Sequence, residues 1–95
     1  MDYRQLNRTF ELSAHANSSG YGVTLKINSR PFTAAAVRKN GDTVDSAYKQ
    51  LCSELHEVYG DIEDKWEYLD IIDARAYVLH LLCLLSGITK LEENT

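Results

Sequence analysis

Residues Asp70 to Ser86 read DIIDARAYVLHLLCLLS, and the reading of this stretch decides the fold. From Ala76 to Leu85 only His80 interrupts an apolar run. Wound as an α-helix at about 100° per residue, the segment gathers Asp73, His80 and Leu84 into one narrow strip. The other side chains, including Ile71, Ile72, Ala74, Val78, Leu79, Leu82 and Leu85, spread round an arc of about 260°. A helix lying on a single core needs an apolar stripe only a little over ~100° wide. The run is also too short and too interrupted to span a bilayer, which takes ~20 apolar residues. A helix apolar on so many sides exceeds what a chain of 95 residues covers easily. The expectation is a homodimer or another protein seated on it, with Ile71, Ile72, Val78, Leu79, Leu82 and Leu85 as the interface.

Upstream, the hydrophobic period changes from helical to alternating. Residues 8–16 place Phe10, Leu12, Ala14 and Ala16 on one side and Thr9, Glu11, Ser13 and His15 on the other, the pattern of a half-buried strand. Asn17 to Gly22 reads as a turn cluster in which two glycines supply positive φ. Residues 23–28 alternate again, Ser29-Arg30-Pro31 reads as a second turn, and 32–38 as a third strand. Connections this short favour an antiparallel meander over residues 8–40.

Asp42 or Thr43 then caps a helix over 43–59, with apolar residues from Val44 to Tyr59 at three- and four-residue spacing and Gly60 as its stop. Asp61 can cap a second helix over 61–87 whose apolar side begins at Trp66 and Leu69; the pattern leaves open whether it breaks near 70. Residues 88–95 read as a frayed tail. The fold predicted is α+β: a three-stranded antiparallel sheet followed by two long helices packed on one face, forming a single domain over 1–95. The alanines of the third strand leave room for a helix to come close.

Composition sets the class of chemistry. Hydrophobic residues make up 44% and charged residues 25%, the balance of a globular domain whose small size leaves a marginal core. Cys52 and Cys83 each fall within an apolar helical pattern and read as small packed hydrophobes. MDYRQLNRTF has neither an apolar signal region nor a cleavage pattern, so a cytoplasmic protein with reduced thiols is expected. The net charge of −4 is unevenly spread. Residues 1–40 carry six cations against two acids, a net +4, and residues 41–95 carry four against twelve, a net −8.

No catalytic set emerges. His15, His56 and His80 fall on a strand and two separate helices without metal-ligand spacing, so neither metal nor cofactor is expected. Cys52 lies beside Ser53-Glu54 on an acidic helix, a setting that disfavours a thiolate nucleophile. Gly20-Tyr21-Gly22 joins two strands, whereas a phosphate-binding loop leads into a helix. Tyr21, read at the tip of that turn, is a candidate partner contact. Glu54, Glu57, Asp61 and Asp64 belong to an acidic run able to dock on a basic surface.

Residues 32–51, FTAAAVRKNGDTVDSAYKQL, resemble the strand-to-helix junction of HicB-type antitoxins over about a fifth of the chain. The likeness lies in Gly41-Asp42-Thr43 and a helix carrying Ala47. The chain departs from that family in ending on a long apolar helix, where the family returns to a strand or adds a DNA-binding part.

Two functions are therefore expected. The first is a non-catalytic protein-binding module, a homodimeric regulator or inhibitor of a larger complex, of the kind carried by phages and mobile elements. The alternative is a nucleic-acid-binding module using the outer sheet face with Arg8, Lys26, Arg30, Arg38 and Lys39.

Overall fold

The computed structural model describes residues 8–63 and 65–88. Three strands, β1 (Phe10–Ala16), β2 (Gly20–Ile27) and β3 (Arg30–Val37), form an antiparallel sheet in the order β1-β2-β3. Two helices follow, α1 (Val44–Tyr59) and α2 (Leu69–Ser86). The expected α+β arrangement is met, and its register explains the core. Leu12 pairs with Leu25, Ala14 with Val23 and Ala16 with Tyr21. On the other side of β2, Leu25 pairs with Phe32, Val23 with Ala34 and Tyr21 with Ala36. Period-two alternation sends all of these side chains to one face, and there α1 packs on β3 while α2 packs on β2.

The turns are tighter than the sequence suggests. Asn17 closes the first hairpin: its Oδ1 accepts from the Ser19 and Gly20 backbone N–H groups at 2.9 and 3.1 Å, and its own N–H donates to the Gly20 carbonyl at 2.8 Å. Gly20-Tyr21-Gly22 is therefore strand, not turn. Gly20 and Gly22 are needed for close approach rather than for positive φ. A Cβ on Gly20 would collide with the Ala36 carbonyl, and one on Gly22 would lie 2.8 Å from the His15 ring. The second hairpin turns on Asn28 and Ser29, both left-handed at φ 51° and 72°, as a two-residue hairpin demands. Arg30 and Pro31, expected in this turn, instead begin β3.

Thr43 caps α1 in a reciprocal box. Its Oγ1 accepts from Ser46 N–H at 3.2 Å, and its own N–H donates to Ser46 Oγ at 2.8 Å. Gly60, at φ 74°, ends the helix. The second helix does not start at 61. Asp61 Oδ1 accepts from Glu63 N–H in a local turn, a short 3₁₀ turn spans Trp66–Tyr68, and α2 begins at Leu69. Trp66 and Leu69 are exposed rather than the start of an inward side.

The core joins Tyr21, Val23, Leu25, Ile27 and Phe32 of the sheet to Ala47, Leu51 and Leu55 of α1, Ile62, and Ile71, Val78, Leu82 and Leu85 of α2. Ala34, Ala36 and Ala47 are all buried where α1 meets β3, so small side chains set that close packing. No helix among the described residues is long and apolar enough to cross a membrane.

Candidate interface

The sheet has two edges, and they are treated differently. Hydrogen bonds between Asn28 N–H and the Thr9 carbonyl, and between Asn17 N–H and the Gly20 carbonyl, fix the phase of the β1–β2 ladder. Backbone groups in an antiparallel pair alternate inward and outward. Those of Thr9, Glu11, Ser13 and His15 therefore point to β2, while those of Phe10, Leu12, Ala14 and Ala16 point away. By the same alternation, positions 31, 33, 35 and 37 of β3 point away from β2. Pro31 has no N–H to offer. Thr33, Ala35 and Val37 donate to Glu54 Oε1, Gln50 Oε1 and Asp42 Oδ2 at 3.1, 3.1 and 3.0 Å. Side chains from α1 and its approach thus close the β3 edge. Along β1 no such bond is made to Phe10, Leu12 or Ala14 among the described residues, and Glu11 to His15 are all exposed.

Beside that open edge lies an apolar strip of α2. Arg8, at the foot of β1, donates to the Asp70 carboxylate at 2.9 and 3.1 Å and to the Glu67 carbonyl at 3.0 Å, with its guanidinium over the Tyr68 ring. At 100° per residue Tyr77, Leu81 and Leu84 share the Asp70 side of the helix. They therefore flank β1. Leu84 is 56% exposed, Tyr77 53% and Leu12 39%. On the opposite side of α2, Arg75 pairs with Glu63 at 2.7 Å.

These positions revise the sequence reading. Ile71, Val78, Leu82 and Leu85 are buried in the chain's own core, and Ile72 and Leu79 are half-buried. The chain absorbs more of the ~260° arc than the pattern implies, because α2 lies on β2 with α1 along one side. What remains outside is centred elsewhere, on Tyr77 and Leu84. Tyr21 is only 4% exposed, since it stands in β2 rather than at a tip. Glu54 is used on the β3 edge, Glu57 and Asp61 are exposed, and Asp64 lies outside the described residues.

The basic set is also divided. Besides Arg8, Arg38 is committed: it donates to the Asn17, Ser86 and Ile88 carbonyls at 3.1, 3.0 and 2.8 Å and lies over Tyr21 at 4.9 Å. It thereby caps the C-terminal carbonyls of α2, which carry partial negative charge. Lys26, Arg30 and Lys39 are exposed.

An open cleft of about 470 Å³ lies between the end of α1 and α2, lined by residues including Cys52, His56, Glu63 and Arg75. Burial raises the pKa of the nearby Tyr48 phenol, against an opposing pull from the Arg75 charge. Burial also works against the Arg75 charge, but the Glu63 hydrogen bond and neighbouring groups together outweigh it and leave that pKa raised. Among the described residues no group of three or more histidines, cysteines and acids is arranged to hold a metal ion.

The sequence signal for this strip was present but faint. Tyr77, Leu81 and Leu84 recur at four- and three-residue spacing, yet they are masked by the apolar residues on every other side. Gln50 and Glu54, four apart on α1, gave no hint in sequence that they close a strand edge. Compared with known proteins, the chain matches no family model, no curated protein and no solved structure. The junction likeness of residues 32–51 gains no family match.

Proposed function

We propose that this chain is a non-catalytic protein-binding module, acting as a regulator or inhibitor within a larger assembly, and that it binds through the β1 edge and the adjoining strip of α2. The observation that carries this reading is the coincidence of a strand edge left open among the described residues with exposed Leu12, Tyr77 and Leu84 on one side of the molecule. An open edge offers unpaired backbone groups, and a neighbouring apolar strip adds the non-directional attraction that stabilises strand addition. Two free thiols, Cys83 of them exposed, suit a reducing compartment such as the cytoplasm.

The test is a tagged capture comparing wild type with Leu84→Glu, run with and without nuclease. A stoichiometric protein, or a second copy of the chain, that survives nuclease and is lost in the variant supports the reading. Capture that is unchanged by the variant and abolished by nuclease refutes it and favours Lys26, Arg30 and Lys39 as phosphate contacts.

A further inference from the structure

Resting on that reading, we infer that the partner at this surface is a second copy of the chain, paired antiparallel β1 to β1 about a two-fold axis through Ser13. The exposed run of β1 is Glu11 to His15, bounded by half-buried Phe10 and buried Ala16, and Ser13 is its centre. An isologous contact must be complementary to itself, and this register is. Leu12 of one copy stands against Ala14 of the other, a large side chain against a small one. Glu11 stands against His15 of the other copy, an acid against a base. Ser13 meets its own counterpart on the axis. Moving the axis to residue 11 would set Glu11 against Glu11, and like charges directly opposite are destabilising.

The outward backbone groups of Leu12 and Ala14 form the ladder between copies. The helices follow from the same geometry. Three strand spacings, about 14 Å, then separate the two β2 strands. Each α2 lies over β2 and toward β1, so the two helices come within reach of the ~8–10 Å packing distance. α2 runs alongside β1, tied at one end by Arg8–Asp70 and at the other by Arg38 spanning Asn17 and Ser86. The two-fold therefore brings Tyr77, Leu81 and Leu84 of both copies together above Leu12 and Ala14. That closes the gap which leaves Tyr77 and Leu84 exposed in one copy. The product is a continuous six-stranded sheet whose outer edges are the two closed β3 strands.

Ser13→Cys, made with Cys52→Ser and Cys83→Ser, tests the pairing. Ser13 would be a non-hydrogen-bonded pair with Cα atoms about 4.5 Å apart, within disulfide reach. Mild oxidation should give mostly covalent dimer, while Ser18→Cys in the same background should stay monomeric. Mixing Glu11→Cys with His15→Cys should give the mixed disulfide in preference to either self-pair. Ala14→Pro removes an outward N–H on an edge strand, where proline is tolerated; it should keep the far-ultraviolet spectrum and raise the dimer dissociation constant by about tenfold or more. A Ser13→Cys protein that stays monomeric, or a dimer indifferent to Ala14→Pro, overturns the pairing. If the chain is monomeric yet captures another protein in a Leu84-dependent way, self-pairing fails and the protein-binding reading stands.

Discussion

Replacing Arg38 by Met tests whether one side chain ties the sheet to the end of α2. The aliphatic stem is kept, so packing changes little. What goes is a guanidinium that donates to the Asn17, Ser86 and Ile88 carbonyls at 3.1, 3.0 and 2.8 Å and lies over Tyr21. Hydrogen bonds to charged groups contribute about 1.5–3 kcal/mol each, and a cation–π contact about 0.5–1 kcal/mol at a partly exposed site. Three bonds sharing one half-buried group do not add, and water can reach some of the released carbonyls. The net loss is therefore about 2–4 kcal/mol, a large part of a stability of ~5–15 kcal/mol. Urea unfolding followed by circular dichroism, at one fixed protein concentration because association shifts apparent stability, gives the measurement. With an m-value of ~1 kcal/mol per M, the low end for small domains, the midpoint should fall by about 2–4 M. Arg38→Lys should fall between, since an ammonium cannot serve three carbonyls with one planar fork. A midpoint within about 0.3 M of wild type, with that m-value, would refute the clamp.

Leu82→Glu and Leu84→Glu, two residues apart, should behave oppositely. The first puts a charge into the core and unfolds the chain, while the second leaves helix content unchanged and lowers binding, as circular dichroism and light scattering would show. Gln50→Ala with Glu54→Ala uncovers the Thr33 and Ala35 N–H groups on β3; a loss of about 1–2 kcal/mol and faster turbidity on incubation are expected, the second because a second edge becomes available for pairing. Ser29→Gly removes a side chain from φ 72° and should raise the melting temperature, for an expected gain of about 0.5–1 kcal/mol; a fall in melting temperature would show that the hairpin does not carry that strain.

The alternation of β1 and β3 and the helical spacing of Val44 to Tyr59 made the class of fold legible, because period two and period 3.6 rest on local geometry alone. Boundaries were less legible where a side chain replaced the expected backbone device. Asn17 closes its turn with one amide oxygen, which freed Gly20 to Gly22 for β2 and carried Tyr21 from a presumed tip into the core. The exposed apolar strip was hard to place in sequence for a different reason. A helical arc shows how much surface is apolar but not where the sheet lies against it, and α2 gave up Ile71, Val78, Leu82 and Leu85 to the core while leaving Tyr77 and Leu84 outside. Committed cations are equally hidden in sequence. Arg8 and Arg38 look like the other basic residues of the first half, yet each anchors one end of α2.

The contrast between the two sheet edges argues that the one left open among the described residues serves a purpose. An exposed strand edge is a hazard that proteins blunt with proline, charge or covering groups. This chain applies such devices along β3, with Pro31 and with Asp42, Gln50 and Glu54 accepting the Thr33, Ala35 and Val37 donors. On β1 the run from Glu11 to His15 is left exposed, with Leu12 and Ala14 turned toward the helix side and only half covered by α2. Shifting α2 one strand spacing, about 4.8 Å, toward β1 would cover them but would uncover β2 and separate the helices, so one chain with two helices cannot cover all three strands equally well. The proposed second copy would relieve that conflict, since each α2 would then cover the seam from its own side. Among the described residues the β1 edge is thus the side on which this small core remains incomplete, and in the proposed pair the closed β3 edges would stop further growth of the sheet.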